Sequence, residues 1–242
     1  MALAHKLRSM AGFPNLLIKI PGTPQGITAM EEVVGAGIGV NVTLLFSDTH
    51  YLRTAEAYLR ALERRRARGE SLAVPSVASV FVSRWDAAAD RMLPGPLRGQ
   101  LGLAVSRQVY ASYCGLLASE RWRALAAAGA RPQRVLWAST STKDPALPDT
   151  YYVERLVAPG TVDTVPEKTL TAFADHGRVG EALEPDYAMG AHVIAAVASE
   201  GVDVDALAES LQRKGAGAFS ADWAALLDAV AAKAQAMAGG SR

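Results

Sequence analysis

Leu16-Leu17-Ile18-Lys19-Ile20 is followed by Pro21-Gly22-Thr23-Pro24, then by Gln25 to Val34, and then by Ile38 to Phe46. The first run reads as a strand with one charge in it. The Pro/Gly cluster is a loop, Gln25–Val34 carries helical spacing, and Ile38–Phe46 is a second strand centred on Val40-Asn41-Val42-Thr43-Leu44-Leu45. The same rhythm continues outward. Ser47 or Asp48 can cap a helix running to about Arg68. Val77 to Val82 is a third strand, Leu101 to Ala128 a long helical region, Val135 to Ser139 a fourth strand and Thr161 to Val165 a short fifth. Pro166 stands where a helix can start without losing a hydrogen bond. From Tyr187 onward the pattern is helical, with breaks expected at Gly201 and at Gly215-Ala216-Gly217. Strands alternating with helices predict βαβ units and a parallel sheet, an α/β fold.

The chain has 242 residues, half of them hydrophobic, which suffices for one large core or two small ones. Lys and Arg number 25 against 24 Asp and Glu, a net charge of +1, so no global field favours nucleic acid or an anionic membrane. Cys114 is the only cysteine, which excludes an intrachain disulfide and a thiolate metal cluster and fits a reducing, cytoplasmic setting. No apolar run approaches the ~18–20 residues of a membrane span. The opening residues lack the continuous apolar stretch of a secretory signal.

Three strands carry polar or charged residues among apolar ones. In a barrel such residues can face the interior, and the C-terminal mouth of the strands is where active sites form. Alternation puts Asn41 with Thr43, Ser79 with Phe81, and Trp137 with Ser139 and Ser141. Lys19 carries the most information, because lysine is almost never fully buried without a reason. Two readings fit it. A lysine on an edge strand can snorkel to solvent. A desolvated lysine favours its neutral amine, a nucleophile able to form a Schiff base with a carbonyl.

Leu17-Ile18-Lys19-Ile20-Pro21-Gly22-Thr23, Gln25-Gly26-Ile27 and Asn41 to Ser47 resemble the Schiff-base strand of the transaldolase family and the strand after it. Ser79 to Asp86 resembles that family's phosphate-side strand and loop. Leu136 to Pro145, Val157 to Leu170 and Phe173 to Gly177 resemble its actinobacterial branch. The motifs occur in the same order from about Leu3 to Met237. The resemblance implies a (β/α)8 TIM-barrel fold. It implies transfer of a dihydroxyacetone unit from a ketose phosphate, sedoheptulose 7-phosphate or fructose 6-phosphate, to an aldose phosphate, as in the pentose phosphate pathway. Lys19 would hold the unit as a Schiff base, splitting one hard step into two easier ones. Thr43 would hold the catalytic water and Asn41 would hydrogen-bond the three-carbon unit. Ser79 and Arg84 would meet sugar hydroxyls and phosphate, Arg84 through bidentate charge-assisted bonds. Ser139, Ser141 and Lys143 are weaker phosphate-side candidates. The resemblance implies no cofactor and no metal.

A complete family barrel has eight strands, and about five are readable here. The Schiff-base lysine belongs on the family's fourth strand, so residues 1–242 are expected to form one partial barrel domain of about five βα units with a helical C-terminus. Leu3, Leu7 and Met10 fall on one face and fit the end of the family's third helix. The family's acid/base Glu and substrate-contacting Asp come from earlier strands, and no residue here can be given those roles. Glu31, Glu32 and Glu56 lie on helical patterns and read as solvated. Three functions stay open: a transaldolase, a Schiff-base aldolase that releases free dihydroxyacetone, and a non-catalytic fragment or interaction subunit. The expected partners are sugar phosphates, with a homo-oligomer or a complementing N-terminal polypeptide left open by the unprotected strand edge beside Lys19.

Other features read as structural. Gly22 to Gly26 lacks the Lys-Ser/Thr of a phosphate loop and the spacing of a dinucleotide fingerprint, and is a tight turn. His5, His50, His176 and His192 show no ligand spacing. The run Glu63-Arg64-Arg65-Arg66-Ala67-Arg68 reads as a solvated helix end. Trp122, Trp137 and Trp223 read as packing residues and Cys114 as a small core residue.

Overall fold

A computed structural model describes residues 2–239. Five strands form one parallel sheet in sequence order: β1 (Ile18–Pro21), β2 (Val40–Leu45), β3 (Ser76–Phe81), β4 (Arg134–Ala138) and β5 (Val162–Asp163). The helices are α1 (Ala2–Ala11), α2 (Pro24–Gly35), α3 (Asp48–Ala67), α4 (Ser83–Ala89), α5 (Leu101–Ala118), α6 (Glu120–Ala127), α7 (Tyr151–Arg155), α8 (Glu167–His176), α9 (Tyr187–Ser199) and α10 (Val204–Gly239). Sequential parallel strands joined by crossover helices are the βα units of the barrel family, and five strands match the expected partial barrel with a helical C-terminus. No helix among the described residues is long and apolar enough to cross a membrane.

Local chemistry explains the first unit. Thr23 caps α2, its hydroxyl accepting from the Gly26 amide at 3.2 Å, and Pro24 opens the helix. A Cβ at Gly26 would sit 1.8 Å from the Pro21 carbonyl oxygen, so only glycine lets α2 start this close to the end of β1. Ser47 caps α3 through the His50 amide at 3.1 Å. The register pairs Lys19 with Asn41, Asn41 with Val77, and Val80 with Trp137. By alternation Lys19, Asn41, Thr43, Val77, Ser79 and Phe81 share one face, and Val40, Val42, Ala78, Val80 and Trp137 the other, whose side chains are fully buried.

Five expectations are corrected. Trp137 lies on the face opposite Ser79, and Ser139 stands beyond the end of β4 at φ 59°, so Trp137, Ser139 and Ser141 do not share a face. The long helical region divides at Ser119, whose extended backbone ends α5 and whose hydroxyl caps α6 through the Trp122 amide at 3.1 Å. Gly215-Ala216-Gly217 does not break the last helix, which runs continuously through it. Trp223 is 61% exposed rather than packed. Within the basic run Arg65 is buried: it donates to the Gly35 carbonyl at 3.0 Å and the Ser71 carbonyl at 2.8 Å, closing the C-terminus of α2.

Candidate functional site

β1, β2 and β3 bring Lys19, Asn41, Thr43 and Ser79 to one face, near the strands' C-terminal ends. Lys19 is exposed, with Ile18 buried and Ile20 half-buried on the opposite face, so its amine stands at the open side of the sheet and not in a desolvated slot. Asn41, its register partner, accepts a hydrogen bond from the Ser79 hydroxyl at 2.7 Å. Thr43 is 1% exposed, and its hydroxyl has no partner among the described residues. A buried hydroxyl in that state can hold a water.

The rim is backbone-strained at two points. Leu44 has φ 62°, where the β2–β3 register shifts, and Ser139 has φ 59°. Among the described residues these are the non-glycine residues in the left-handed region, and each costs on the order of 1–3 kcal/mol that its surroundings must offset. Gln212 of α10 holds Leu44, its side-chain nitrogen donating to the Leu44 carbonyl at 3.0 Å and the Gly22 carbonyl at 3.1 Å. Ser139 is held by Ser83: the two hydroxyls lie 2.9 Å apart, and the Ser83 amide donates to the Ser139 carbonyl at 2.9 Å.

Arg84 follows Ser83 in the first turn of α4, its guanidinium 5.0 Å from the centre of the Phe81 ring. Phe81 is two residues beyond Ser79 on the same face, so Arg84 is a cation at the mouth of the sheet, supported on an aromatic ring. Ser141 and Lys143 form their own pair on the loop after β4, with the ammonium donating to the hydroxyl at 3.0 Å. Lys143 opens on a cavity of about 370 Å³ that Ser83, Asp86, Asp90, Arg91 and Tyr152 also line. The structure thus joins Asn41 to Ser79, Ser139 to Ser83, and Ser141 to Lys143 by hydrogen bonds.

Four features escaped the sequence reading. Asp86 is 2% exposed and accepts from the Tyr152 hydroxyl at 2.8 Å and the Gly102 amide at 3.1 Å; burial pushes its carboxyl up to about 6 against these bonds. A Cβ at Gly102 would meet the Val82 carbonyl oxygen at 2.6 Å and Asp86 Oδ2 at 2.8 Å, so a glycine there admits this contact. Asp163 accepts from the Thr140 hydroxyl at 2.9 Å, and burial likewise pushes it up to about 6. His50 accepts from the Phe46 amide at 3.2 Å through Nδ1, while its Nε2 lies 3.1 Å from Glu209 of α10. Phe219 of α10 faces Lys19, with Nζ 5.8 Å from the ring centre. Asp86 closes the motif Ser79 to Asp86, but its partners Gly102 and Tyr152 lie outside that motif, and Gln212 and Phe219 lie too far along the chain for any local pattern to tie them to Lys19.

The sequence model of the transaldolase/fructose-6-phosphate aldolase family matches residues 1–230. The chain is 45% identical over 240 residues to the transaldolase of Frankia alni, covering 96% of this chain and 65% of that protein. It is 48% identical over 239 residues to transaldolase 1 of Streptomyces coelicolor, covering 95% and 63%. It is 45% identical over 240 residues to the transaldolase of Thermobifida fusca, covering 96% and 65%. The chain spans just under two thirds of the length of these relatives.

Proposed function

The chain belongs to the transaldolase/fructose-6-phosphate aldolase family, and from that premise we propose that it handles ketose and aldose phosphates through a Schiff base on Lys19. The reaction is transfer of a dihydroxyacetone unit from sedoheptulose 7-phosphate or fructose 6-phosphate to an aldose phosphate. The observation that carries the reading is one primary amine, Lys19, paired in register with an asparagine that a serine hydroxyl orients.

In the first half-reaction the Lys19 nitrogen attacks the ketone carbon, the carbonyl oxygen leaves as water, and the resulting iminium draws electrons from the bond between the neighbouring carbon and the hydroxyl-bearing carbon beyond it, whose hydroxyl gives up its proton and becomes the aldehyde. That bond breaks, an aldose phosphate departs, and an enamine of three carbons stays on Lys19. In the second half the enamine carbon attacks an aldose phosphate, and water returns the amine. Asn41 holds hydroxyls of the three-carbon unit and Thr43 holds the water. Ser79 and Arg84 take sugar hydroxyl and phosphate, with Ser139, Ser141 and Lys143 on the phosphate side. Arg84 suits that role because a guanidinium offers paired donors to phosphate oxygens. A positioned acid/base group adds 10²–10⁴-fold in such reactions. The family draws its acid/base Glu and substrate-contacting Asp from strands that precede the Schiff-base strand.

The same proposal includes an association. The outer edge of β1 has no strand partner among the described residues, and α1 and α10 expose apolar stripes. Those surfaces favour a homo-oligomer or a complementing polypeptide that carries the family's earlier strands. A cytoplasmic location belongs to the proposal too, since ketose and aldose phosphates are intracellular metabolites.

Borohydride reduction tests the chemistry. With fructose 6-phosphate or dihydroxyacetone it should leave a three-carbon adduct on Lys19, and Lys19→Arg should abolish it because a guanidinium forms no imine. Dihydroxyacetone reports Schiff-base formation alone; fructose 6-phosphate adds carbon–carbon cleavage. An adduct with neither compound overturns the proposal. Release of free dihydroxyacetone without transfer favours the runner-up, a Schiff-base lyase on the same lysine.

A further inference from the structure

α10 is 36 residues long, and its first half crosses the end of the sheet where the site lies. Gln212 is buried and binds the carbonyls at the ends of β1 and β2. One turn on, a Cβ at Gly215 would stand 2.7 Å from Leu44 Cδ2 and 3.5 Å from Arg84 Nη1. One further turn on, Phe219 faces the Lys19 amine. Positions 212, 215 and 219 are spaced three and four apart, so they form one stripe along a single helix face.

Each of these residues is unusual for where it stands. A glycine inside a helix costs about 0.8–1 kcal/mol relative to alanine. At Gly215 the close approach to Leu44 supplies the reason, whereas Gly217 has no atom within 4 Å of its would-be Cβ. Phe219 is 40% exposed, yet its ring is turned to a cation.

We propose that the Gln212–Gly215–Phe219 stripe is a wall of the substrate site, with Gly215 and Phe219 reading opposite ends of the substrate. The missing side chain at Gly215 leaves the Arg84 guanidinium open to a phosphate. The Phe219 ring covers the nitrogen of Lys19, which is cationic as the ammonium and again as the iminium, and it bounds the space for the three-carbon unit. Gln212 is a positioning residue, since it acts by docking α10 onto Leu44 and Gly22. The assignment deepens the Schiff-base reading and rests on it for the identity of the substrate.

The test reads each end of the wall by a chemistry independent of turnover. Amine acylation of Lys19, followed by peptide mapping, should run about 2–5-fold faster in Phe219→Ala and Phe219→Leu than in the unsubstituted chain, the range expected for losing an aromatic face from an exposed cation. Inorganic phosphate should protect Arg84 from the arginine reagent phenylglyoxal. Gly215→Val should weaken that protection by about tenfold, on the scale of one charge-assisted hydrogen bond. Gly215→Ala, whose single Cβ displaces only the end of the Leu44 side chain, should weaken it less, and far-UV circular dichroism of both variants separates lost protection from lost folding. Unchanged Lys19 acylation in both Phe219 variants, or unchanged protection in both Gly215 variants, overturns the wall. Wall effects that persist while dihydroxyacetone leaves no borohydride adduct overturn the Schiff-base reading alone.

Discussion

The Ser79 hydroxyl donates to the side-chain oxygen of Asn41 at 2.7 Å, across the β2–β3 boundary. Asn41 pairs in register with Val77, so Ser79 is the next residue up β3 on the same face. With its oxygen accepting this bond, Asn41 keeps its NH₂ donors for a group bound beside Lys19, its register partner on β1.

Ser79→Ala removes that orientation with little loss of packing. Trapping of dihydroxyacetone on Lys19 should slow by about 5–10-fold, the scale of one hydrogen bond of ~1–1.5 kcal/mol. Urea denaturation should show a stability loss of no more than about 1 kcal/mol. A large loss of stability with unchanged trapping would make the bond a matter of folding and not of the site.

Asp86 and Asp163 set a pH dependence. Burial raises both carboxyls from 3.8 to about 6 in the fold. Between about pH 4 and pH 6 the folded chain therefore holds more protons than the unfolded one, and the unfolding free energy falls as the pH rises. The contribution is complete about a unit below 3.8 and is lost as the pH rises through about 6. Asp86→Asn stays neutral throughout and can still accept from Gly102 and donate to the Tyr152 oxygen. Relative to this variant, the unsubstituted chain should lose about 2 kcal/mol between pH 4 and pH 7, at ~1.36 kcal/mol per pKa unit. Parallel urea-denaturation curves at both pH values would show that Asp86 does not titrate in this window.

The order of strands and helices was legible because each apolar run ends in a turn signal or a cap, as at Pro21-Gly22 and Ser47. Lys19 stood out because its charge interrupts such a run. Its exposure did not, since burial depends on what covers the sheet face and the run itself carries no trace of it. Alternation misplaced Ser139 because β4 stops at Ala138 and the chain turns through a left-handed residue. The continuity of α10 was hidden for a tertiary reason. Two glycines in three residues predict a break, but Gly215 seats the helix on Leu44 while Gln212 ties it to carbonyls 168 and 190 residues away in sequence.

Arg65 should prove structural. Its guanidinium spans the Gly35 and Ser71 carbonyls and reaches Glu70 at 2.9 Å. Arg65→Ala leaves the Gly35 carbonyl to Arg68, which donates to it at 2.7 Å, and takes the side-chain donor from the Ser71 carbonyl; it should cost about 1.5–3 kcal/mol in urea denaturation, the range for hydrogen bonds to a charged group. Arg65→Lys should recover only part of this, because a single ammonium cannot span both carbonyls in the fork's geometry. Full recovery by lysine would reduce the role of Arg65 to its charge.

Exposed apolar surface should drive association of the chain. Trp223, Leu227 and Val230 follow one another at i, i+4 and i+7 along α10 and are each half or more exposed. α1 presents Leu3, Leu7 and Met10 in the same spacing, also exposed. Contiguous apolar surface of this kind marks an interface or an aggregation liability, and the open edge of β1 adds unpaired backbone groups. Light scattering of the purified chain should therefore give a mass above that of one 25.5 kDa chain, rising with concentration. Trp223→Lys combined with Leu227→Glu interrupts the α10 stripe without touching the Gln212–Phe219 segment. It should shift the mass toward the monomer while leaving the circular dichroism unchanged. If the unsubstituted chain is already monomeric at every concentration, the association is wrong. If the double variant leaves a larger assembly intact, the α10 stripe is not its interface and the β1 edge becomes the surface to block.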